Sequence, residues 1–446
     1  MARWAWRDKS IAFALETSFG TAATTGFEAL PAEVELPEFV RDIEDFQFST
    51  PQVGSFDPPV TGSKHGGTLK IRVPVRSLAP AYDPDPGTLD VPGFTADIVS
   101  REMALFANAL GSDASSVTTT ADIMAGKNLS TGAPFSNSGV IAGGASSFTV
   151  ADADKLLYPA SEMIVTDVAK ATGTAKVGWI KTVATGATAT ITLFEAPQTA
   201  PVTGDDIFPT AAAYLSGEEP HPLTFRVVGD NAAECITFAG CVCSEWELSL
   251  VAGKTPILSL TYIYTDKKWD STKLLGGLLT PDSFRRLAPA LGTNGGWATL
   301  DGTETNGLHE FMIKGSNTLA AIRSHSATQG VSEMVQTRPD LEATVAIPYA
   351  TGDAVDSDGE HIYETKFLAG TTVSLGVYYG KLVGRVASAL LPAWHISAQP
   401  TMIEVDGLNY LQLTLRPDTY AGDTVGDGAI LANCPALNSN FRFGVG

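Results

Sequence analysis

Cysteine is scarce in this chain: Cys235, Cys241, Cys243 and Cys434 are all there is in 446 residues, and three of the four crowd one region. Such spacing excludes the disulfide framework of a small secreted domain and suits a reducing cytoplasm. Long apolar runs are missing too. No uncharged stretch approaches the roughly 20 residues that span a bilayer, and the opening Met1 to Lys9 lacks the continuous apolar core of a secretory signal, so the chain is expected to stay soluble where it is made, without a membrane partner. Basic residues are few: 29 Lys and Arg stand against 49 Asp and Glu, a net charge of −20. They cluster no further than pairs such as Lys267-Lys268 and Arg285-Arg286. Duplex DNA presents about one negative charge per 1.7 Å of axis, and gripping it needs a basic stripe that this chain does not have. A protein that lets DNA pass without holding it is still allowed, and acidity also serves plain solubility.

The usual catalytic constellations are absent as well. Cys235, Cys241, Cys243 and His221 offer four zinc ligands in number, but structural zinc sites are built from cysteines paired on knuckle turns, whereas Cys241 and Cys243 lie in a strand-like stretch and read as small buried hydrophobes. Asp353, Asp356, Asp358 and Gly359 lack the spacing and closing Glu of a helix–loop–helix calcium site and read as a solvated turn. The run Gly380-Lys381-Leu382-Val383-Gly384 has the wrong order for a phosphate loop. No Gly-x-Ser-x-Gly elbow and no His-Glu-x-x-His occurs, and the six histidines are scattered. Glu245 and Glu247 form a carboxylate pair, yet in regular strand alternation without any sign of a cleft. No enzyme, cofactor or metal is expected.

What is present points to β structure. With 43 Gly, 26 Pro, 44% hydrophobic and only 17% charged residues, the chain turns often and fits many short strands, and its length suits two or three domains. Leu69, Ile71, Val73 and Val75 alternate with Lys70, Arg72 and Pro74 after a Pro/Gly/Ser-rich stretch over residues 49–67, which predicts a long-tipped hairpin with the strand-like residues 39–48. Residues 97–110 carry Ile98, Leu105, Phe106, Ala109 and Leu110 at helical spacing with Gly111 as a stop. Short β runs follow at 163–168, 177–183 and 188–194, then at 223–228. Trp246, Leu248 and Leu250 share one face of a strand with Glu245, Glu247 and Ser249 on the other, and Leu258 to Tyr264 is its expected hairpin partner across Ala252-Gly253-Lys254.

The last 165 residues or so replay this order. Leu341, Ala343, Val345 and Ile347 alternate into Ile347-Pro348-Tyr349, where the first half has Val73-Pro74-Val75. Strands are expected at 373–379 and 394–397, and Leu411-Gln412-Leu413-Thr414-Leu415 echoes Leu258-Ser259-Leu260-Thr261. A helix slot falls near 359–369, although His361-Ile362-Tyr363 fits a strand equally well. The division that follows is 1–111 with 218–275 as one β unit, 112–217 as a small inserted β module, and 276–446 as a second β unit.

These features together resemble the tail-tube proteins of long-tailed bacteriophages. The likeness lies in Glu16 to Thr21, similar to the Glu-x-x-x-Gly-Thr start common among them, in the long-tipped hairpin, in the helix ending Ala109-Leu110-Gly111, and in Phe238-Ala239-Gly240-Cys241-Val242-Cys243 leading into the Trp246 strand. It covers most of residues 10–270 and the remainder only through the repeat; length and the inserted module depart from the pattern. The resemblance implies a β-sandwich or half-barrel with a short flanking helix, whose sheets join those of neighbours in stacked rings, as a virion tail component made in the host cytoplasm. Partners would be copies of itself, tape-measure and tail-end proteins, and DNA passing without specific binding. Six tube domains make such a ring, so two fused copies predict a trimer with pseudo-sixfold symmetry. Glu245, Glu247 and Glu342 are the candidate acids facing a negatively lined lumen, with Lys70 and Arg72 on the comparable face of the first hairpin. The loops 49–67 and 315–339, the N-terminal arm and the tail after Tyr420 would bridge rings. A β-rich receptor- or carbohydrate-binding virion protein is the alternative.

Overall fold

The computed structural model describes residues 10–35, 43–44, 60–61, 67–76, 101–111, 144, 146–151, 163–167, 176–184, 186–196, 200–208, 211–215, 219–228, 235–270, 296–301, 303–305, 308–324, 330–349, 362–380, 386–420, 422, 424–425 and 439–446. As the composition predicts, they are mainly β. The first stretch holds β1 (Ser10–Leu15), β2 (Glu28–Leu30), β3 (Glu33–Glu35), β4 (Ile43–Glu44), β5 (Val60–Thr61), β6 (Thr68–Pro74) and helix α1 (Arg101–Ala109). A middle group follows with β7 (Ser147–Ala151), β8 (Met163–Asp167), β9 (Lys176–Ala184), β10 (Thr188–Leu193), β11 (Asp206–Phe208) and β12 (Ala211–Tyr214). The chain then forms β13 (Leu223–Val228), β14 (Cys235–Val251), β15 (Ile257–Ile263) and β16 (Asp266–Asp270). Its last part holds β17 (Trp297–Leu300), β18 (Thr303–Thr305), β19 (Glu310–Arg323), β20 (Val331–Pro348), α2 (Ile362–Ala369), β21 (Thr372–Tyr379), β22 (Ala387–Ile396), β23 (Thr401–Val405), β24 (Leu408–Pro417), β25 (Thr424–Val425) and β26 (Arg442–Val445).

Strict alternation makes β6 and β15 half-buried strands: Leu69, Ile71 and Val73 face the core beside Leu258, Leu260 and Tyr262, and Lys70, Arg72, Ser259 and Thr261 face out. β14 is longer than the six residues read from its alternation. Its first half, Cys235 to Cys243, is buried throughout because β13 and β16 flank it and core residues lie on both sides, so no polar face marks it in the sequence. Pairing then runs β2-β1-β13-β14, and further along β14 the order β3-β6-β15-β14-β19-β20-β24 continues as one antiparallel sheet.

One pairing order occurs twice. β1 pairs β2 and β13, β13 pairs β14, β14 pairs β15 and β16, and β15 pairs β6, which pairs β3. In the same sequence order β17 pairs β18 and β21, β21 pairs β22, β22 pairs β24 and β26, and β24 pairs β20, which pairs β19. Registers agree as well: Ile257 lies opposite Pro74 as Tyr410 lies opposite Pro348. A helix follows β6 in one set and β20 in the other. α1 ends with Gly111 at φ 73°, the left-handed cap that the stop signal predicts, with Leu110 N–H donating to Phe106 O and Gly111 N–H to Asn108 O. In the second helix slot the open choice resolves to helix for Ile362 and Tyr363.

β7 to β11 form a separate antiparallel sheet in the order β11-β8-β9-β10-β7, with β25 added to β9 in parallel. Met163, Val177 and Trp179 of this group pack with Trp297, Tyr378, Val386 and Leu390, and Trp179 Nε1 donates to Ser388 Oγ at 2.8 Å. The middle group therefore rests on β17, β21 and β22, far along the chain from α1, which precedes it. Two expectations about loops need correction. Residues 315–339 include the paired arms of β19 and β20, which run from Gly315 opposite Leu341 to Arg323 opposite Val331 with register shifts at Thr318/Leu319 and Ile322/Arg323, and the described tail beyond Tyr420 is paired within the chain through β25 and β26. Of the segment 49–67, only residues 60–61 and 67 fall among the described ones; Asp353, Asp356 and Asp358 fall outside them.

Candidate functional site

The outer face of the joined sheet carries the charge. In strands with a period of two, residues directly opposite share a face, so the pairings Arg72–Ser259–Glu247–Lys314–Glu342 trace one row across β6, β15, β14, β19 and β20. The next row runs Lys70–Thr261–Glu245–Ser316–Asp340. All three candidate acids, Glu245, Glu247 and Glu342, thus lie on a single face together with Lys70 and Arg72. The three acids and Lys70 line an open groove of about 530 Å³ whose wall also includes Lys314, Asp340 and Arg416.

Strand alternation alone leaves out how far these acids are answered by bases. Lys314 Nζ stands 3.5 Å from Glu247 Oε2, Arg416 Nη2 donates to Glu342 Oε2 at 3.0 Å, and Arg416 Nη1 lies 3.9 Å from Asp340. Groove cations Lys70, Lys314 and Arg416 face four carboxylates, so the surface is nearly balanced in sign rather than simply negative. Each exposed pair contributes about 0–1 kcal/mol; their effect is on the field at the surface more than on stability. Lys314 is missing from the expected site because no strand was expected ahead of the 315–339 loop, although Phe311 and Ile313 alternating with Met312 and Lys314 is the signal that finds it.

Beneath this face, Trp246 is the central anchor of the join between β14 and β19. Its ring stacks on Phe441 at 5.4 Å, meets Phe106 of α1 edge-on at 5.1 Å, and lies over Gly315, its direct neighbour on β19. A Cβ at Gly315 would stand 2.1 Å from the indole. Asn317 then ties the join to α1, its Nδ2 donating to Ala109 O at 3.0 Å and to Cys243 O at 3.2 Å.

Glu16, the acid of the Glu-x-x-x-Gly-Thr start, has a definite task. Its Oε2 accepts from Gly20 N–H at 2.8 Å, and its Oε1 accepts from Thr224 Oγ1 at 2.7 Å and Gly240 N–H at 2.8 Å. It therefore clamps the first turn to β13 and to the glycine at φ +62° inside β14. Burial outweighs these donors and pushes its carboxyl up to about 7. The folded state then holds a proton that the unfolded chain releases near the ordinary value of 4.5, so stability falls as pH rises between about 4.5 and 7. We expect urea unfolding to give a wild-type stability about 3 kcal/mol higher at pH 4.5 than at pH 8 from this group, and Glu16→Gln to flatten that difference. An unchanged pH slope in the variant would show that Glu16 is not its source.

The zinc candidates do not converge. Cys235, Cys241 and Cys243 are buried within β14, burial raises the thiols of Cys241 and Cys243, and among the described residues no group of three or more His, Cys, Asp or Glu is placed to hold a metal. No family model and no curated protein matches the chain. Among the described residues no helix is long and apolar enough to cross a membrane.

Proposed function

We propose that this protein is a structural subunit of a long-tailed bacteriophage tail tube, two fused copies of one β unit that assemble as a trimeric ring with pseudo-sixfold symmetry. The observation that carries this reading is the join at β14 and β19. Inside one chain, the sheet of the first unit continues directly into the sheet of the second, seven residues deep from Glu245 opposite Ser316 to Val251 opposite Glu310. A sheet that accepts a like unit at one edge has unpaired N–H and C=O groups to offer at its outer edges, and cyclic association satisfies them without an open end. Stacked rings of such subunits would then form the tube.

The charged face supports the second half of the reading. It is the face without α1 or the middle sheet over it, and in a closed ring it would line the channel. Cations that would grip phosphate, Lys314 and Arg416, are already engaged by Glu247, Glu342 and Asp340. Affinity for DNA grows with the number of phosphates neutralised, so a wall of internally paired charges lets the duplex slide. No catalysis is asked of it; DNA, tape-measure and tail-end proteins are its partners in the virion. Negative-stain electron microscopy across a concentration range tests this: hollow rings with three subunits and six like lobes, alone or stacked, are expected. Dispersed monomers at every concentration, together with binding on a glycan array, would instead favour a receptor-binding virion protein.

A further inference from the structure

The two like sets of strands differ in what covers them, and the difference marks a surface. β14 carries strand neighbours on both sides of its second half, β15 and β19. Its counterpart in the second set is the broken strand β22 and β23, interrupted at Pro400, and β23 pairs only with β24 among the described residues. The shared registers place Met402, opposite Leu411, where the first set has Leu248, opposite Leu258. Leu248 is fully buried; Met402 is 59% exposed. The helices differ in the same way. α1 is buried from Glu102 to Ala109, capped by Phe443 of β26 and Phe441 just before it and by Asn317 of β19, all from the other set. α2 has no fully buried residue, and Leu368 on it is 73% exposed.

What covers α1 and β14 comes from β19 and β26, whose counterparts in the first set are β3 and β16. Among the described residues β3 pairs only with β6, and β16 only with β14. β16 carries Trp269, 59% exposed, in the strand that corresponds to the one bearing Phe443. Exposed large apolar side chains thus collect on both halves of one missing contact.

We infer that β23 and α2 of one copy receive β3 and β16 of the next copy, in the register of the internal join. This rests on the ring reading above and adds the residues that meet. Transferring the pairing of Ser249 with Met312 predicts that Ile403 lies directly opposite Glu35 of the neighbouring copy. Both lie on the charged side of the sheet, away from the core, so cysteines are tolerated there. Antiparallel neighbours stand about 4.5–5.5 Å apart at Cα, within disulfide reach.

The test is Glu35→Cys with Ile403→Cys in the full chain, oxidised and separated without reductant, with peptide mapping of the linked residues. A ladder of covalent dimers and larger species joined 35 to 403 is expected, with at least tenfold less linkage for Glu33→Cys with Ile403→Cys, which is two residues out of register. Leu368→Asp and Trp269→Asp, both at exposed positions, should each weaken association at least tenfold while circular dichroism stays unchanged. Rings by microscopy without the 35–403 linkage would overturn the proposed surface and leave the tube reading standing. Wild-type chains that never associate would overturn both.

Discussion

Glu102→Gln should lower the melting temperature of the purified protein by roughly 10 °C. Arg76, at the residue after β6's trailing Val75, and Glu102, in the first turn of α1, are 3% and 1% exposed and meet in a fork: Nε to Oε1 at 2.8 Å and Nη2 to Oε2 at 2.5 Å. This pair is what orients α1 on the sheet. Two planar, rigid groups bonded twice hold both distance and angle, where a lysine would fix distance alone. Taking the charge from one partner leaves a guanidinium buried without its carboxylate, a loss of about 3–5 kcal/mol. For a cooperative unit of roughly 150–250 residues each kcal/mol is worth about 2–4 °C. Differential scanning calorimetry of wild type, Glu102→Gln and the double variant Arg76→Met with Glu102→Met checks it. The double variant should recover most of the loss, because replacing a buried ion pair by packed apolar groups removes the desolvation cost of both charges together. If the single variant melts within 2 °C of wild type, the fork does not hold the helix.

α1 itself was legible from its spacing and from Gly111, but Glu102 was not singled out, since a carboxylate in the first turn of a helix also serves the helix dipole in solvent. The same division runs through the whole chain. Strands with one wet face, such as β6, β15, β20 near Val345 and β24, announce themselves by alternation. Strands buried on both faces, such as β22 and the first half of β14, offer only a run of apolar residues that a period cannot distinguish from other buried segments. The far arms of β19 and β20 read as loop because Gly315, Ser316, Asn317 and Pro339 are loop-formers; they are strands because they pair with one another, a contact of separated residues that local preference does not contain. In the charged face, Glu245, Glu247 and Glu342 were legible as outward residues of three strands. That Lys314 and Arg416 stand between them depends on strand order, which one sequence does not print. Glu16 stood out only as part of a soft motif, and its work is done with Thr224 and Gly240, more than 200 positions away.

Gly315→Val should be the substitution that most directly breaks the join of the two sheets. The glycine sits mid-strand, where a side chain would ordinarily help, and the space its Cβ would need is filled by the indole of Trp246 at 2.1 Å. Trp246 is 2% exposed and held between Phe441 and Phe106, so it has no open rotamer to move into. Overpacking at such a contact costs about 1–3 kcal/mol and more when the obstacle is a ring; Trp246→Ala removes the ring at about 3–5 kcal/mol. Because both changes act on one contact, they should not add. The double variant is expected to be at least 1 kcal/mol more stable than the sum of the single losses, within the usual range for touching residues, when urea unfolding is followed by circular dichroism. Strict additivity would mean that the valine is accommodated elsewhere. Under the ring proposal the same variant carries a second consequence: a sheet that no longer runs from β14 into β19 cannot present its outer edges at the spacing a ring requires. Gly315→Val chains that still fold at low temperature should therefore fail to form rings, while Glu102→Gln chains, whose sheet join is intact, should form them until they melt.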